Sequence, residues 1–206
     1  GRAISMGLNL SFYPIVDLLK QWAEIGVEDD AATAFTRLQA SIHELFQDET
    51  ASVLPFVATL MGLNPPDPYR QRLAGIEGEA LEKLIRKSMR ELLIRLSQIQ
   101  PLVVVIDDVH WADVSSIAML EFLFRLSQSE RILFINLFRP GYEETGQRIL
   151  DTTAEDTSLY SVAIHLEPLD DHMSEMMIRD LLDLNGFNHA VVDQIIRRAS
   201  GNPYFI

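Results

Sequence analysis

Along the 206 residues, apolar positions recur three and four apart through most of the chain, and this rhythm gives way to uninterrupted β-branched runs in two places. Ser11-Phe-Tyr-Pro14 puts a proline where a helix begins, and Ile15, Leu18, Leu19 and Trp22 then fall on one face. The acids Glu28, Asp29 and Asp30 suit the start of a second helix, whose face is Phe35, Leu38, Ile42, Leu45 and Phe46. Val53 to Leu63 reads as a short third helix, stopped at Gly62 or Asn64 and by the Pro65-Pro66-Asp67-Pro68 loop. From about Glu77 to Ile99 the 3.6-residue period continues through Leu81, Leu84, Ile85, Met89, Leu92, Leu93 and Leu96, which predicts a long helix. The opening Gly1 to Asn9 is weakly strand-like.

Leu102 to Ile106 breaks the helical rhythm. It is β-branched without alternation, the pattern of a strand covered on both faces in a parallel sheet, and two aspartates end it. Asp113 can cap a helix with the face Ile117, Leu120, Leu123, Phe124 and Leu126, and Ile132 to Phe138 is a second strand of the same kind. Strand, helix, strand implies a parallel pair joined by a right-handed crossover. Gly141 to Ser158 is polar, Tyr160 to Leu166 reads as a third strand, and two helices follow at about His172 to Leu184 and His189 to Ala199. Asn185-Gly186 separates them and Ser200-Gly201-Asn202-Pro203 closes the second. The cluster Met173, Met176, Met177 reads as core packing.

Composition narrows the function classes. No apolar stretch approaches the roughly 18 residues that span a bilayer, and no basic, apolar leader opens the chain, so no membrane contact and a cytoplasmic location are expected. There is no cysteine, hence no disulfide, thiolate metal site or cysteine nucleophile. The 30 acids against 17 bases give a net charge of −13, which repels phosphate backbones and argues against direct nucleic-acid binding.

In an open parallel sheet, ligands sit beyond the carboxyl ends of the strands, which directs attention to Asp107 and Asp108. A strand ending in two acids suits a magnesium nucleotide site, one carboxylate holding hydrated Mg²⁺ and the next acting on a water. The strand and the acids alone are equally compatible with solvated carboxylates. A glycosidase-like couple fits less well, because successive strand residues face opposite ways. An aspartyl phosphatase would want an acid at Val109, and a receiver-type phosphoacceptor would want a lysine after position 87, where none occurs.

The full phrase Val103-Val-Val-Ile-Asp-Asp-Val-His-Trp-Ala-Asp113 resembles the Walker B segment of AAA-type signal-transduction ATPases, often grouped as STAND NTPases. Ile132 to Phe138 followed by Arg139-Pro140 resembles that family's sensor strand, Arg197 to Phe205 its glycine-asparagine-proline turn, and Gly1 to Pro14 its second strand and following turn. The resemblance implies that Asp107 coordinates Mg²⁺, that Asp108 activates water, and that Arg139 reaches the terminal phosphate of ATP. Gly201, Asn202 and Pro203 would lie near the base and ribose. His110 and Trp111 are read as a hydrogen-bonded turn residue and a packing residue. Asp108 stands where many AAA enzymes have Glu, one methylene longer, which bears on hydrolysis rate more than on binding.

The implied fold is α/β: a partial P-loop NTPase core of AAA type, with a parallel sheet, helices on both faces and the start of a C-terminal helical lid. Residues 1–168 would form the core, with a helical insertion at about 28–99, and 169–206 part of the lid. The phosphate loop Gly-x-x-x-x-Gly-Lys-Ser/Thr is missing, because Lys20, Lys83 and Lys87 follow Leu19, Glu82 and Arg86. The chain is therefore expected to be a fragment whose first strand and phosphate loop lie upstream. The function expected is a regulatory ATPase module that binds and slowly hydrolyses Mg-ATP in its parent, the fragment itself being inactive. Its partner would be an output domain in the same chain (cyclase, kinase or helix-turn-helix), with homo-oligomerisation open. The alternative is a protein-interaction scaffold that has kept the fold and lost the nucleotide.

Overall fold

The computed structural model describes residues 1–4, 11–156, 158–181 and 189–206, which divide into two units, Gly1–Ser161 and Val162–Ile206. In the first, helix α1 (Tyr13–Trp22) starts with Pro14 in its first turn and buries Ile15 and Leu19. Helix α2 (Ala31–Phe46) is capped by the Asp30 carboxylate, which accepts the Thr33 N–H at 2.8 Å, and buries Phe35, Leu38, Ile42 and Phe46. Helix α3 (Thr50–Leu60) is apolar nearly all round and lies between α2 and α4 (Gly78–Ile99), which buries Ile85, Met89, Leu92 and Leu93. The Pro65–Pro68 segment is the loop its prolines predict.

Strand β1 (Leu102–Ile106) pairs in parallel with β2 (Ile132–Asn136), Leu102 opposite Ile132 and Ile106 opposite Asn136. Helix α5 (Val114–Phe124) connects them. Asp113 caps α5 by accepting the Ser116 N–H, and also accepts the Phe12 N–H at 3.0 Å, fixing the start of α1 to the start of α5. The first residues line the other edge of β1: the Gly1 carbonyl accepts the Asp107 N–H at 3.0 Å, and Ala3 donates to the Asp107 carbonyl at 2.9 Å. The lateral order is thus residues 1–3, β1, β2. Residues 5–10 of the strand-like opening lie outside the described residues.

Several expectations are corrected. Among the described residues the strands are covered on one face only: Val104, Ile106 and Ile132 are buried and Phe134 packs on Phe124 of α5 at 5.2 Å, but Val103 and Leu133 are 54% and 56% exposed, with Val105, Ile135 and Leu137 also open. An apolar strand face is buried only where another element lies on it, and the described part of this unit supplies a layer to one side. Strand β2 stops at Asn136 rather than Phe138, although Leu137 adds one ladder bond to the Ile106 carbonyl. The polar stretch after Gly141 contains a π-helical turn (Glu143–Gln147) running into α6 (Arg148–Glu155). Tyr160–Leu166 forms no strand, and Tyr160, Val162, Ile164 and Leu166 are exposed, since alternation makes a strand only when a neighbour accepts its hydrogen bonds.

In the second unit, α7 (Asp171–Leu181) packs on α8 (His189–Ala199), with Ile178, Val192 and Ala199 buried. Met173 and Met176 are half-exposed and not core residues, because they fall off the face that carries Ser174 and Ile178. The separating Asn185-Gly186 lies outside the described residues. Among those residues, no helix is long and apolar enough to cross a membrane.

Candidate functional site

The site grows out of the carboxyl ends of two neighbouring parallel strands. Beyond Ile106 the ladder continues irregularly: Leu137 donates to the Ile106 carbonyl at 2.9 Å and Val109 donates to the Leu137 carbonyl at 2.9 Å. Asp107 is therefore level with Leu137, and Arg139 is two residues further along the same strand direction. By alternation Asp107 and Leu137 belong to the open face of the sheet, and Arg139 follows three residues beyond the end of β2. The Asp107 side chain is 51% exposed.

Asp108 adopts a left-handed conformation (φ 56°) and turns the chain away from the sheet into a single 3-10 turn, Val109–Trp111. Asn and Asp tolerate this region better than most side chains, which is one local reason for an acid here. The Asp108 N–H donates to Asp107 Oδ1 at 2.9 Å, so the two acids are linked at the turn. Asp108 Oδ2 accepts the Arg2 guanidinium through Nε (3.0 Å) and Nη2 (2.9 Å), and Asp107 lies 4.0 Å from Arg2 Nε. The Asp108 hydrogen bond and charge, with Asp107 behind them, raise the Arg2 pKa above its ordinary value. Arg2 was not legible as a site residue; only its place in the strand-like opening hinted at proximity.

His110 and Trp111 follow. His110 is 3% exposed, and its ring lies 4.9 Å from Trp111 and 4.8 Å from Tyr142. Both keep the roles read from sequence, a hydrogen-bonded turn residue and a packing residue. Arg139 is exposed, and among the described residues its guanidinium has no hydrogen bond or ion pair. Cavities of about 290 and 320 Å³ open elsewhere, one between α3 and α4 beside Glu49 and Arg95, the other beside Trp22, Leu93 and Val103. Neither is lined by Asp107, Asp108 or Arg139.

Gly201, Asn202 and Pro203 belong to the second unit, and their local geometry has a structural cause. Gly201 sits at φ +75°, where a Cβ would come 2.4 Å from the Leu169 carbonyl oxygen, and its own carbonyl accepts the Leu169 N–H at 2.8 Å. Asn202 caps the following turn through the Tyr204 N–H at 3.0 Å, with Pro203 as the first residue of that turn.

Among the described residues no cluster of three or more acids or histidines gathers that could cage a metal. A cation at β1 would hold one or two hard carboxylate oxygens and keep the rest of its shell as water, the habit of Mg²⁺. With this geometry in hand, comparison with known families is decisive: residues 1–135 match the family described as AAA ATPase domain. The chain belongs to that family. The AAA domain is accordingly an α/β, P-loop-type ATPase module in part, with helices and a small parallel sheet. No curated protein and no solved structure gives a significant match. The matched region contains Asp107 and Asp108 and ends before Arg139 and Gly201–Pro203.

Proposed function

We propose that this AAA domain is the nucleotide switch of a larger signalling protein, binding Mg-ATP, hydrolysing it slowly and passing the nucleotide state to an output domain in the same chain. The observation that carries this is what stands beyond the carboxyl ends of the adjacent parallel strands β1 and β2: an exposed carboxylate at Asp107, directly after β1, and an exposed guanidinium at Arg139, three residues after β2, with no hydrogen bond or ion pair among the described residues. Magnesium would neutralise phosphate charge. Asp107 holds it, Asp108 orients the attacking water, and Arg139 meets charge at the terminal phosphate. Asp108 reaches this role from a turn where Arg2 already engages it, which favours slow hydrolysis. The phosphate loop, for which these 206 residues have no Gly-Lys-Ser/Thr, is supplied by a preceding segment of the parent.

Titration calorimetry with Mg-ATP tests this on the full-length protein and on the 206-residue chain. The full-length protein is expected to bind, the short chain to bind weakly or not at all, and Asp107→Asn to weaken Mg²⁺-dependent binding about tenfold, the scale of one charge-assisted ligand. Micromolar affinity in the short chain would place the phosphate grip inside it. A full-length protein indifferent to Mg-ATP would leave the interaction scaffold as the function.

A further inference from the structure

We infer that His110 is a positioning residue, a buried imidazole that fixes Arg139 relative to the two aspartates; its value to nucleotide chemistry rests on the role of Arg139 proposed above. His110 is three residues past Asp107 and two past Asp108, on the turn that Asp108 creates. The loop that follows β2 is anchored on this one residue at three points. The Arg139 N–H donates to His110 Nδ1 at 3.4 Å, the Tyr142 ring packs on the imidazole at 4.8 Å, and the Thr145 hydroxyl donates to the His110 carbonyl at 3.5 Å.

The polar contacts are long, and their weight comes from number and enclosure. Trp111 closes the cluster, 4.9 Å from His110 and 5.5 Å from Tyr142, and Thr145 is itself buried. Pro140 adds a second constraint, since the residue before a proline is pushed to extended backbone. The Arg139 backbone is thus held by its N–H on one side and by proline on the other, and among the described residues its guanidinium has no hydrogen bond or ion pair. A side chain whose root is fixed and whose head has no internal partner is presented for something outside it.

The chemistry of the ring explains why the position carries histidine. A phenylalanine would fill the same space between Trp111 and Tyr142 but would leave the Arg139 N–H without an acceptor. Accepting at Nδ1 requires that nitrogen to carry no proton, which places the ring hydrogen on Nε2. The bond spans 29 residues and joins the turn after β1 to the segment after β2, so it sets the spacing between acids and arginine directly and not through the sheet alone.

The test uses the full-length protein with ¹⁵N-labelled histidine and arginine. Long-range ¹H–¹⁵N spectra are expected to show His110 Nδ1 unprotonated and Nε2 protonated. His110→Phe and His110→Gln should each speed Arg139 amide exchange about tenfold, the scale of one lost hydrogen bond. His110→Asn, whose Oδ1 stands near the place of Nδ1, should restore the protection, whereas glutamine puts its oxygen beyond it. Mg-ATP affinity should follow the same order, reduced in the glutamine and phenylalanine variants and recovered in the asparagine variant. If the phenylalanine variant fails to fold, the asparagine and glutamine pair decides. A protonated Nδ1, or an Arg139 amide unchanged in His110→Gln, would overturn the inference. A wild-type protein with the expected tautomer and amide protection but no Mg-ATP affinity would overturn the nucleotide reading and leave the positioning contact standing.

Discussion

Gly146 lies in the π-helical turn between the Arg139 loop and α6, and a methyl group there is a direct probe of how that loop is held. An ideal Cβ at Gly146 would stand 2.3 Å from Phe138 Cδ2, 2.8 Å from Cε2 and 2.9 Å from Cγ. Carbon atoms pack at about 3.5 to 4.0 Å, so more than 1 Å must open between the turn and a ring that packs against the core. Overpacking of this kind costs about 1 to 3 kcal/mol, which for a chain of this size lowers the Tm by roughly 2 to 12 °C. Because Phe138 precedes Arg139, the displacement should also move the Arg139 amide resonance. Gly26→Ala is the control. It too avoids the left-handed region, and its nearest atom, Asp29 Oδ2, is at 3.6 Å, an ordinary contact. There the methyl group restricts the unfolded chain, for a change between zero and a gain of about 1 kcal/mol. Urea unfolding followed by circular dichroism, with amide spectra of both variants, makes the comparison. Equal midpoints for Gly146→Ala and Gly26→Ala, with Arg139 unmoved, would refute the close packing of Phe138 against the turn.

Two further outcomes follow from the same geometry. Glu121 on α5 accepts Arg148 Nε at 2.8 Å and Nη2 at 2.5 Å, and the Thr152 hydroxyl at 2.8 Å, clamping α6 onto α5. Burial pushes its pKa up, but the Arg148 and Thr152 hydrogen bonds and the charges of Arg148 and Arg86 outweigh this and hold it below the usual carboxylate value. With Arg148 partly solvated, Glu121→Gln should lose about 1 to 2 kcal/mol at pH 7. Since the folded value is depressed, that contribution is complete above the unfolded carboxylate pKa of about 4.3 and fades as pH falls through the lower folded value. Denaturation curves of wild type and variant should therefore converge below about pH 4, and a gap independent of pH from 3 to 7 would contradict the clamp. Gly201→Ala combines a left-handed backbone with a 2.4 Å approach to the Leu169 carbonyl, and should destabilise the second unit by about 2 to 3 kcal/mol with no nucleotide present. Hydrogen exchange at the Leu169 amide reads this directly, and unchanged protection there would count against the turn as a structural device.

Which parts of this were legible in the sequence follows from the range of the interactions involved. Helices α1 to α5 were readable because spacing, caps and stops are local: Asp30 and Asp113 each sit three residues before the N–H they accept. The acids ending β1 were readable for the same reason. The burial of β1 and β2 was not, because Val103, Val105, Leu133 and Ile135 look in sequence like any doubly covered strand, and exposure depends on which layers lie against them. Tyr160–Leu166 went wrong on the same principle, for alternation describes a strand that has a partner. The turn from Glu143 into α6 was missed because its stabilising contacts, Glu121 with Arg148 and Phe138 with Gly146, connect segments that the local pattern reads separately.

The same reasoning separates what identifies a site from what makes it work. Asp107 and Asp108 were picked out by their place at a strand end and Arg139 by the resemblance of its segment to a sensor strand, both of them properties of short stretches of sequence. Nothing local says that Arg2 caps Asp108 or that the Arg139 backbone rests on His110, 29 residues away. On the function proposed above, these contacts decide whether the acids and the arginine act as a set: the guanidinium of Arg2 competes for the carboxylate that would face water, and the imidazole of His110 holds the backbone of the arginine that would meet phosphate. A substitution at either position would leave every motif residue in place and still change the chemistry, which is why the spacing of motifs alone underdetermines the rate at which this domain would turn over nucleotide.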